Sequence, residues 1–321
     1  MLLPSDMRAD SSAIVRERVA LRRGLMWGAA GVFAFSLTLP TTEVAVRELG
    51  PLFATAGRAA VAAGLAAAYL GWRRAALPPA ALLPSLLVVC VGVVIGFPLF
   101  TALALQRETS AHGAIIVGLL PAATAAFGAL RNAERPSLAF WGACAAGAAA
   151  VTAFAVVRGQ GLPTTSDAWL LLAVLAAAAG YAEGARLAGV LGSDQVICWV
   201  LLLTIPVTLP MLVLSIARGA PDASAAGWGC FAYTAIVSMF LGFFAWYRGL
   251  ALGGVAKVSQ VQLTQPLLTV GFSVLLFGQQ LDPAIIITAL VVLLCVAVAQ
   301  RTRVRRTPLT LAAPASTNSA A

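Results

Sequence analysis

The sequence predicts an all-α integral membrane protein of ten transmembrane helices, arranged as two inverted five-helix repeats. Three observations carry that prediction. First, 60% of the 321 residues are hydrophobic, 10% are charged and the mean hydropathy is +0.93. A soluble domain has about 25% charged residues, so this chain cannot cover a water-facing surface and its solvent must be lipid. Second, the apolar residues fall into ten blocks, each close to the roughly 20 residues a helix needs to cross the hydrocarbon core. Third, the chain repeats itself at an offset of 145 residues. Leu105 falls on Leu250, Ala111 on Ala256, Pro121 on Pro266, Thr124 on Thr269, Phe127 on Phe272 and Leu130 on Leu275. Shared Ala/Leu/Gly composition is the plainer source of such matches. Pro, Thr and Phe coinciding at one fixed offset favour a true repeat.

Residues 1–23 are polar and Arg-bearing and form the predicted cytoplasmic tail. A signal peptide would share that look, but no small-x-small cleavage site follows Gly24–Leu39 and the run is long enough to span. The predicted spans are 24–43, 52–72, 80–104, 110–130 and 137–157 in the first repeat (24–157). In the second repeat (168–300) they are 168–188, 196–217, 227–248, 256–278 and 282–300. Turn chemistry separates them: Gly50-Pro51, Pro78-Pro79, Arg135-Pro136, Pro163, Gly192-Ser193, Pro221, Gly253-Gly254 and Asp282-Pro283. The Ser/Thr/Pro/Ala-rich tail, 301–321, is expected to be disordered and cytoplasmic.

Cations set the orientation. With the N-terminus inside, only Arg47, Arg107, Arg158 and Arg218 fall outside, Arg58 lies within a span, and the other 16 of the 21 Lys and Arg residues fall inside. Much of that excess sits in the two tails. Both ends are therefore expected in the cytoplasm and the protein in the inner (plasma) membrane. Five crossings per repeat is an odd number, so the second copy enters from the opposite face, and the repeats are related by an axis in the membrane plane.

The net charge of +9 and pI near 10.2 do not indicate nucleic-acid binding, because the basic residues flank apolar spans instead of gathering on a polar domain. The five cysteines lie in or beside spans without CxxC or metal-ligand spacing, so they are read as small hydrophobes, with no metal and no disulfide framework. One histidine and scattered acids give no catalytic constellation, and no nucleotide-binding motif is present. No enzyme activity and no cofactor are expected.

An ordered set of short features carries a family resemblance. Trp27-Gly28 opens the first span. Gly50-Pro51-Leu52 leads to Gly57-Arg58. Ala102-Leu103, Pro121 and Glu134-Arg135-Pro136 follow. The second half answers with Arg248-Gly249-Leu250, Ala256, Pro266 and Gly278-Gln279. Over about 24–300 the chain resembles the EamA-type branch of the drug/metabolite transporter superfamily. That resemblance implies a ten-helix secondary carrier, commonly an exporter of amino acids, related metabolites or toxic compounds. One departure is visible: Gln279 stands where the first half has Glu134.

Ionisable residues inside a bilayer call for a partner or a role. Arg58 lies about 10 Å into its span by helical rise. It is either a fixed cation for a substrate carboxylate or phosphate, or a structural arginine snorkelling or paired with Glu43 or Glu48. Glu183 and Arg186 share a face of the sixth span, as a self-satisfied pair or with Glu183 carrying a coupling proton. His112 and Lys257 occupy equivalent repeat positions at opposite faces, His112 as a surface or capping group or a proton relay, Lys257 as a snorkel or a cavity group. Lys257, Gln260 and Thr264 share one helical face, expected to line a cavity, on a span made unusually polar by Ser259, Gln262 and Gln265. Tyr181, Trp246 and Tyr247 are candidate cavity walls. The expected partners are a small-molecule substrate, the lipid bilayer and protons as coupling ion; the oligomeric state is left open. The competing function classes are multidrug efflux and a passive channel.

Overall fold

The structure is a computed structural model, and it describes residues 4–131, 135–158, 163–219, 221–253, 258–280, 283–301 and 304–305. Its helical segments run as follows. Helix α1 is Pro4–Ser36, continued past Leu37 by Thr38–Leu49; α2 is Pro51–Arg73 and α3 is Ala80–Leu105. Helix α4 comprises Ser110–Val117 and Leu120–Arg131, and α5 is Leu138–Arg158. The second half holds α6 (Thr165–Leu191), α7 (Ser193–Arg218) and α8 (Ala225–Gly253). It ends with α9 (a 3-10 turn Ser259–Thr264, then Gln265–Phe277) and α10 (Pro283–Arg301).

Seven of these helices are long and apolar enough to cross a membrane; Leu138–Ala153, Val261–Phe277 and Pro283–Val298 are shorter apolar stretches. The chain is thus an all-α multi-pass membrane protein. The first helix reaches well into the sequence expected to be a polar tail. Of the expected disordered C-terminus, Val304–Arg305 (β2) pairs antiparallel with Arg135–Pro136 (β1), and the rest lies outside the described residues. The pairing sets the residues just before α5 beside those just after α10 at one end of the bundle, here called the Arg73 end. The opposite end, at the α1–α2 turn, is the Gly50 end. That turn is made by Gly50 with φ 77°, a conformation favoured by the lack of a Cβ, followed by Pro51 in the first turn of α2.

The repeat is visible in local structure. Helix α3 widens into a π-helical stretch at Cys90–Gly96, and α8 does so at Tyr233–Leu241. Helix α4 breaks before Leu120-Pro121, and α9 changes from 3-10 to α-helix at Gln265-Pro266. Both correspondences hold at or near the 145-residue offset. Packing repeats as well. Helix α1 packs most heavily on α8, and its counterpart α6 packs on α3. Helix α1 also contacts α9, as α6 does α4; α2 packs on α7, and α5 on α10. Exchanging each helix for the one five places on maps these contacts onto themselves, which is consistent with an inverted repeat.

Small residues let the halves approach. A Cβ on Gly249 would stand 2.6 Å from the backbone nitrogen of Gly28, so α1 and α8 touch backbone to backbone. The equivalent contact between α3 and α6 is Gly92 against Gly180, where a Cβ on Gly92 would stand 3.1 Å from the Gly180 backbone.

Candidate functional site

Arg58 is 3% exposed and lines a cavity built from both halves. The walls are Phe35 and Thr38 of α1, Val93 of the α3 π stretch, Tyr181 of α6, Ser238 and Met239 of the α8 π stretch, and Gln265 of α9. Wider π turns set side chains off the regular helical register, and here both stretches face the same space. The free volume is about 20 Å³, room for about one water. A metabolite pocket is typically about 300–1,000 Å³, so the compartment is closed in this conformation.

The alternative partners of Arg58 are taken elsewhere. Glu43 is 4% exposed and pairs with Arg47 at 2.7 Å. Glu48 accepts the Ser224 amide at 2.7 Å and its hydroxyl at 3.0 Å. Arg58 donates only to Thr42 Oγ1, at 3.5 Å, and its Nε has no partner. Among the described residues no carboxylate pairs with it.

A polar cluster lies between this cavity and the Gly50 end. Gln279 Nε2 donates to Glu43 Oε2 at 2.6 Å and to Ser110 Oγ at 3.1 Å. The Ser110 amide donates to the same Glu43 oxygen at 2.6 Å. The Ala111 amide donates to Gln279 Oε1 at 3.3 Å, and Ser110 shares a hydrogen bond with Ser273 at 2.8 Å. Helices α1 and α4 of the first half are thereby tied to the end of α9. Below it, Pro40 lacks the N–H that would meet the Ser36 carbonyl, and Thr269 of α9 donates to that carbonyl at 2.9 Å. Gln262, Gln265, Thr269 and Ser273 fall on one face of α9: Gln265 lines the cavity, Gln262 and Thr269 line a smaller space beside it, and Ser273 joins the cluster. Gln262 Nε2 and Gln265 Oε1 are buried without partners.

Toward the Arg73 end the cavity is closed by aromatic rings. Phe35 and Phe243 centroids are 4.9 Å apart, and Tyr181 lies 6.0 Å from Phe243 edge-on. Trp246 is 2% exposed and sits behind this layer, against Phe35 and Tyr181. Tyr181 lines the cavity, whereas Trp246 supports its wall.

The other sequence candidates separate. Glu183 is 5% exposed and accepts both Arg186 Nε at 3.0 Å and Nη2 at 2.7 Å. Arg186 also donates to Ser85 Oγ of α3 at 2.6 Å, so the pair pins α6 to α3. His112 is not a surface group: it is 1% exposed, with Nε2 2.7 Å from Asp167 Oδ1. The Thr109 side chain caps α4, and the chain folds His112 inward onto the first turn of α6, where Asp167 also closes a capping box with Thr164. Thr264 is exposed and donates to its own Val261 carbonyl, so it does not line the cavity. Its hydroxyl belongs to the 3-10 turn, whose three-residue period rotates the expected stripe out of line. Lys257 lies outside the described residues, and so does the side chain of Gln260. Gln262, Gln265, Glu43 and Gln279 are noted in the sequence, the first two for the polarity of the ninth span, Glu43 as an alternative partner of Arg58 and Gln279 for its mismatch with Glu134, but none is named there as a site residue.

Comparison with known proteins agrees with this architecture. Residues 22–156 and again 164–300 match one family, described as the EamA-like transporter family. The uncharacterized transporter YdeK of Bacillus subtilis (strain 168) is 45% identical over 282 residues, which covers 87% of this chain and 97% of that protein. A protein of known crystal structure, 18% identical, superposes with a TM-score of 0.61 over 87% of this chain and 98% of its own, a likeness of fold. A chain whose two halves each match that family, with a relative so similar along nearly its whole length, belongs to the EamA-like transporter family of the drug/metabolite transporter superfamily, and it moves small molecules across a bilayer without being an enzyme.

Proposed function

We propose that the protein is a ten-span secondary carrier of two inverted five-helix repeats, with both termini cytoplasmic in the inner membrane. It exports amino acids or related small metabolites bearing an anionic group, by alternating access driven by a proton gradient. The observation that carries this reading is Arg58: a guanidinium buried in a cavity lined by seven helices of both halves, with no carboxylate paired to it among the described residues. A carboxylate or phosphate of the substrate would meet it bidentately, in a site where water no longer screens the charge.

The closures on either side supply the gates. The Glu43–Ser110–Gln279 cluster is the gate at the Gly50 end, which the positive-inside rule makes the outer face. The aromatic layer of Phe35, Phe243 and Tyr181 is the gate toward the cytoplasm. The cavity between them is the occluded form, which must widen to admit a substrate. Closure at both ends argues against a passive channel. The aromatic walls favour one second reading, efflux of amphipathic toxic compounds, in which rings supply the binding area.

Flux in proteoliposomes tests the proposal. Uptake of a labelled amino-acid mixture should saturate, respond to an imposed pH gradient and be competed by anionic metabolites. Linear leakage that ignores the gradient would refute a carrier, and competition by hydrophobic cations alone would favour the efflux reading.

A further inference from the structure

A cavity of about 630 Å³ lies apart from Arg58, between α1, α2, α7 and α8 at the Arg73 end. Its walls change character along their length. At the mouth stand Arg73, Arg248, Tyr69, Asp194 and Trp27. Neither arginine has an ion-pair partner among the described residues. The guanidinium of Arg248 lies over the Trp27 ring, 5.1 Å from its centroid. Stacking uses the face of the guanidinium and leaves its in-plane donors for another group. The one carboxylate present, Asp194, accepts the Tyr69 hydroxyl at 2.7 Å.

Deeper in, the walls are Ala30, Ala34, Val237 and Leu241, and Leu241 is 48% exposed. From Arg248 to Val237 is eleven residues of α8, about 16 Å at a rise of roughly 1.5 Å per residue. That is about half of a ~30 Å hydrocarbon core. The groove is thus cationic at the level of one membrane surface and apolar down to the mid-plane. A dissolved anion would make no use of the apolar wall, and a neutral lipid none of the two arginines.

We infer that this groove holds an acidic phospholipid of the leaflet at the Arg73 end. Its phosphate sits between Arg73 and Arg248, and one acyl chain lies along Ala30, Ala34, Val237 and Leu241. Trp27 stands at the headgroup level, where interfacial tryptophans collect. Basic pockets between helices on the cytoplasmic side take such headgroups by charge. The site needs only the membrane-spanning fold and not the role given to Arg58.

Native mass spectrometry of the detergent-purified protein tests it, with phosphatidylglycerol and phosphatidylcholine as probes. Wild type should retain phosphatidylglycerol in preference to phosphatidylcholine. The double variant Arg73→Gln/Arg248→Gln should bind it about thirtyfold more weakly, the loss expected for two surface-level arginines. Leu241→Trp, which fills the apolar wall and keeps both charges, should also weaken retention. Soluble glycerol phosphate should not compete. Equal retention of the two lipids, or undiminished binding by both variants, would overturn the proposal. Effective competition by glycerol phosphate would overturn it in favour of a site for dissolved anions. If the double variant does not purify, the single variant and the competition decide. No arm reads transport, so a failure of the Arg58 reading leaves the result interpretable.

Discussion

Arg58→Met separates a working cation from a structural one, because the two roles make opposite forecasts for stability. Methionine keeps an unbranched, apolar side chain and removes the guanidinium. If Arg58 were half of a buried ion pair, its removal would destabilise the protein by about 3–5 kcal/mol, since the partner would be left charged and alone. Here Arg58 is 3% exposed, its single hydrogen bond is 3.5 Å long and its Nε is unpartnered. Each unsatisfied buried donor costs about 1–3 kcal/mol. The substrate-free variant should therefore be as stable as wild type, or more stable by about 1–2 kcal/mol. Substrate affinity should move the other way. Losing a desolvated, hydrogen-bonded charge contact typically removes about 2–5 kcal/mol, roughly 30- to 5,000-fold. Thermal unfolding of the purified protein, followed with and without anionic substrate, reads both terms. Wild type should gain stability from the substrate by mass action and the variant should not. Marked destabilisation of the substrate-free variant, or proteoliposome transport with unchanged KM, would refute the reasoning.

Other perturbations test the gates and the packing. Gln279→Glu sets a carboxylate against Glu43 where the amide now donates at 2.6 Å. Like charges so close should loosen the Gly50 end and speed labelling by an impermeant thiol reagent of a Leu120→Cys reporter, Leu120 being part of the cavity wall, at least about tenfold, in a background without the five native cysteines. Unchanged labelling would remove this cluster from gating. Glu183→Gln should preserve pH-driven flux, because the carboxylate is held by Arg186 at 2.7 Å and serves packing; loss of the pH response alone would make it the coupling acid. His112→Ala leaves Asp167 buried without its imidazole and should lower thermal stability by about 3 kcal/mol, without a selective loss of substrate affinity. Gly249→Val drives a side chain into the Gly28 backbone and should destabilise by at least about 1–3 kcal/mol, seen as poor yield and early unfolding.

Much of the fold was legible along the chain, and for plain reasons. Lipid demands long apolar helices with internally satisfied backbones, so composition and span length report the class directly. Pro121 and Pro266 share an offset because the same interrupted helix is built twice. Arg58 stood out because a charge in an apolar run is costly wherever it points. The site around it was less legible. A regular helical wheel through the ninth span selects Lys257, Gln260 and Thr264, but the 3-10 turn at Ser259–Thr264 rotates Thr264 outward, Gln265 faces the cavity instead, and Gln262 is buried in a smaller space beside it.

Sequence alone determined that this chain lies in a membrane, folds as a doubled helical bundle and hides a cation in one span. These properties follow from local composition and from spacing along one helix. Tertiary structure decided which polar groups meet. Glu43, Ser110 and Gln279 come from two helices and the segment just past a third, separated by as many as 236 positions, and His112 reaches Asp167 across 55. Whether a buried polar group is a partner or a vacancy for substrate depends on distances between helices, and those are set by glycine contacts and π turns that no single-helix pattern encodes.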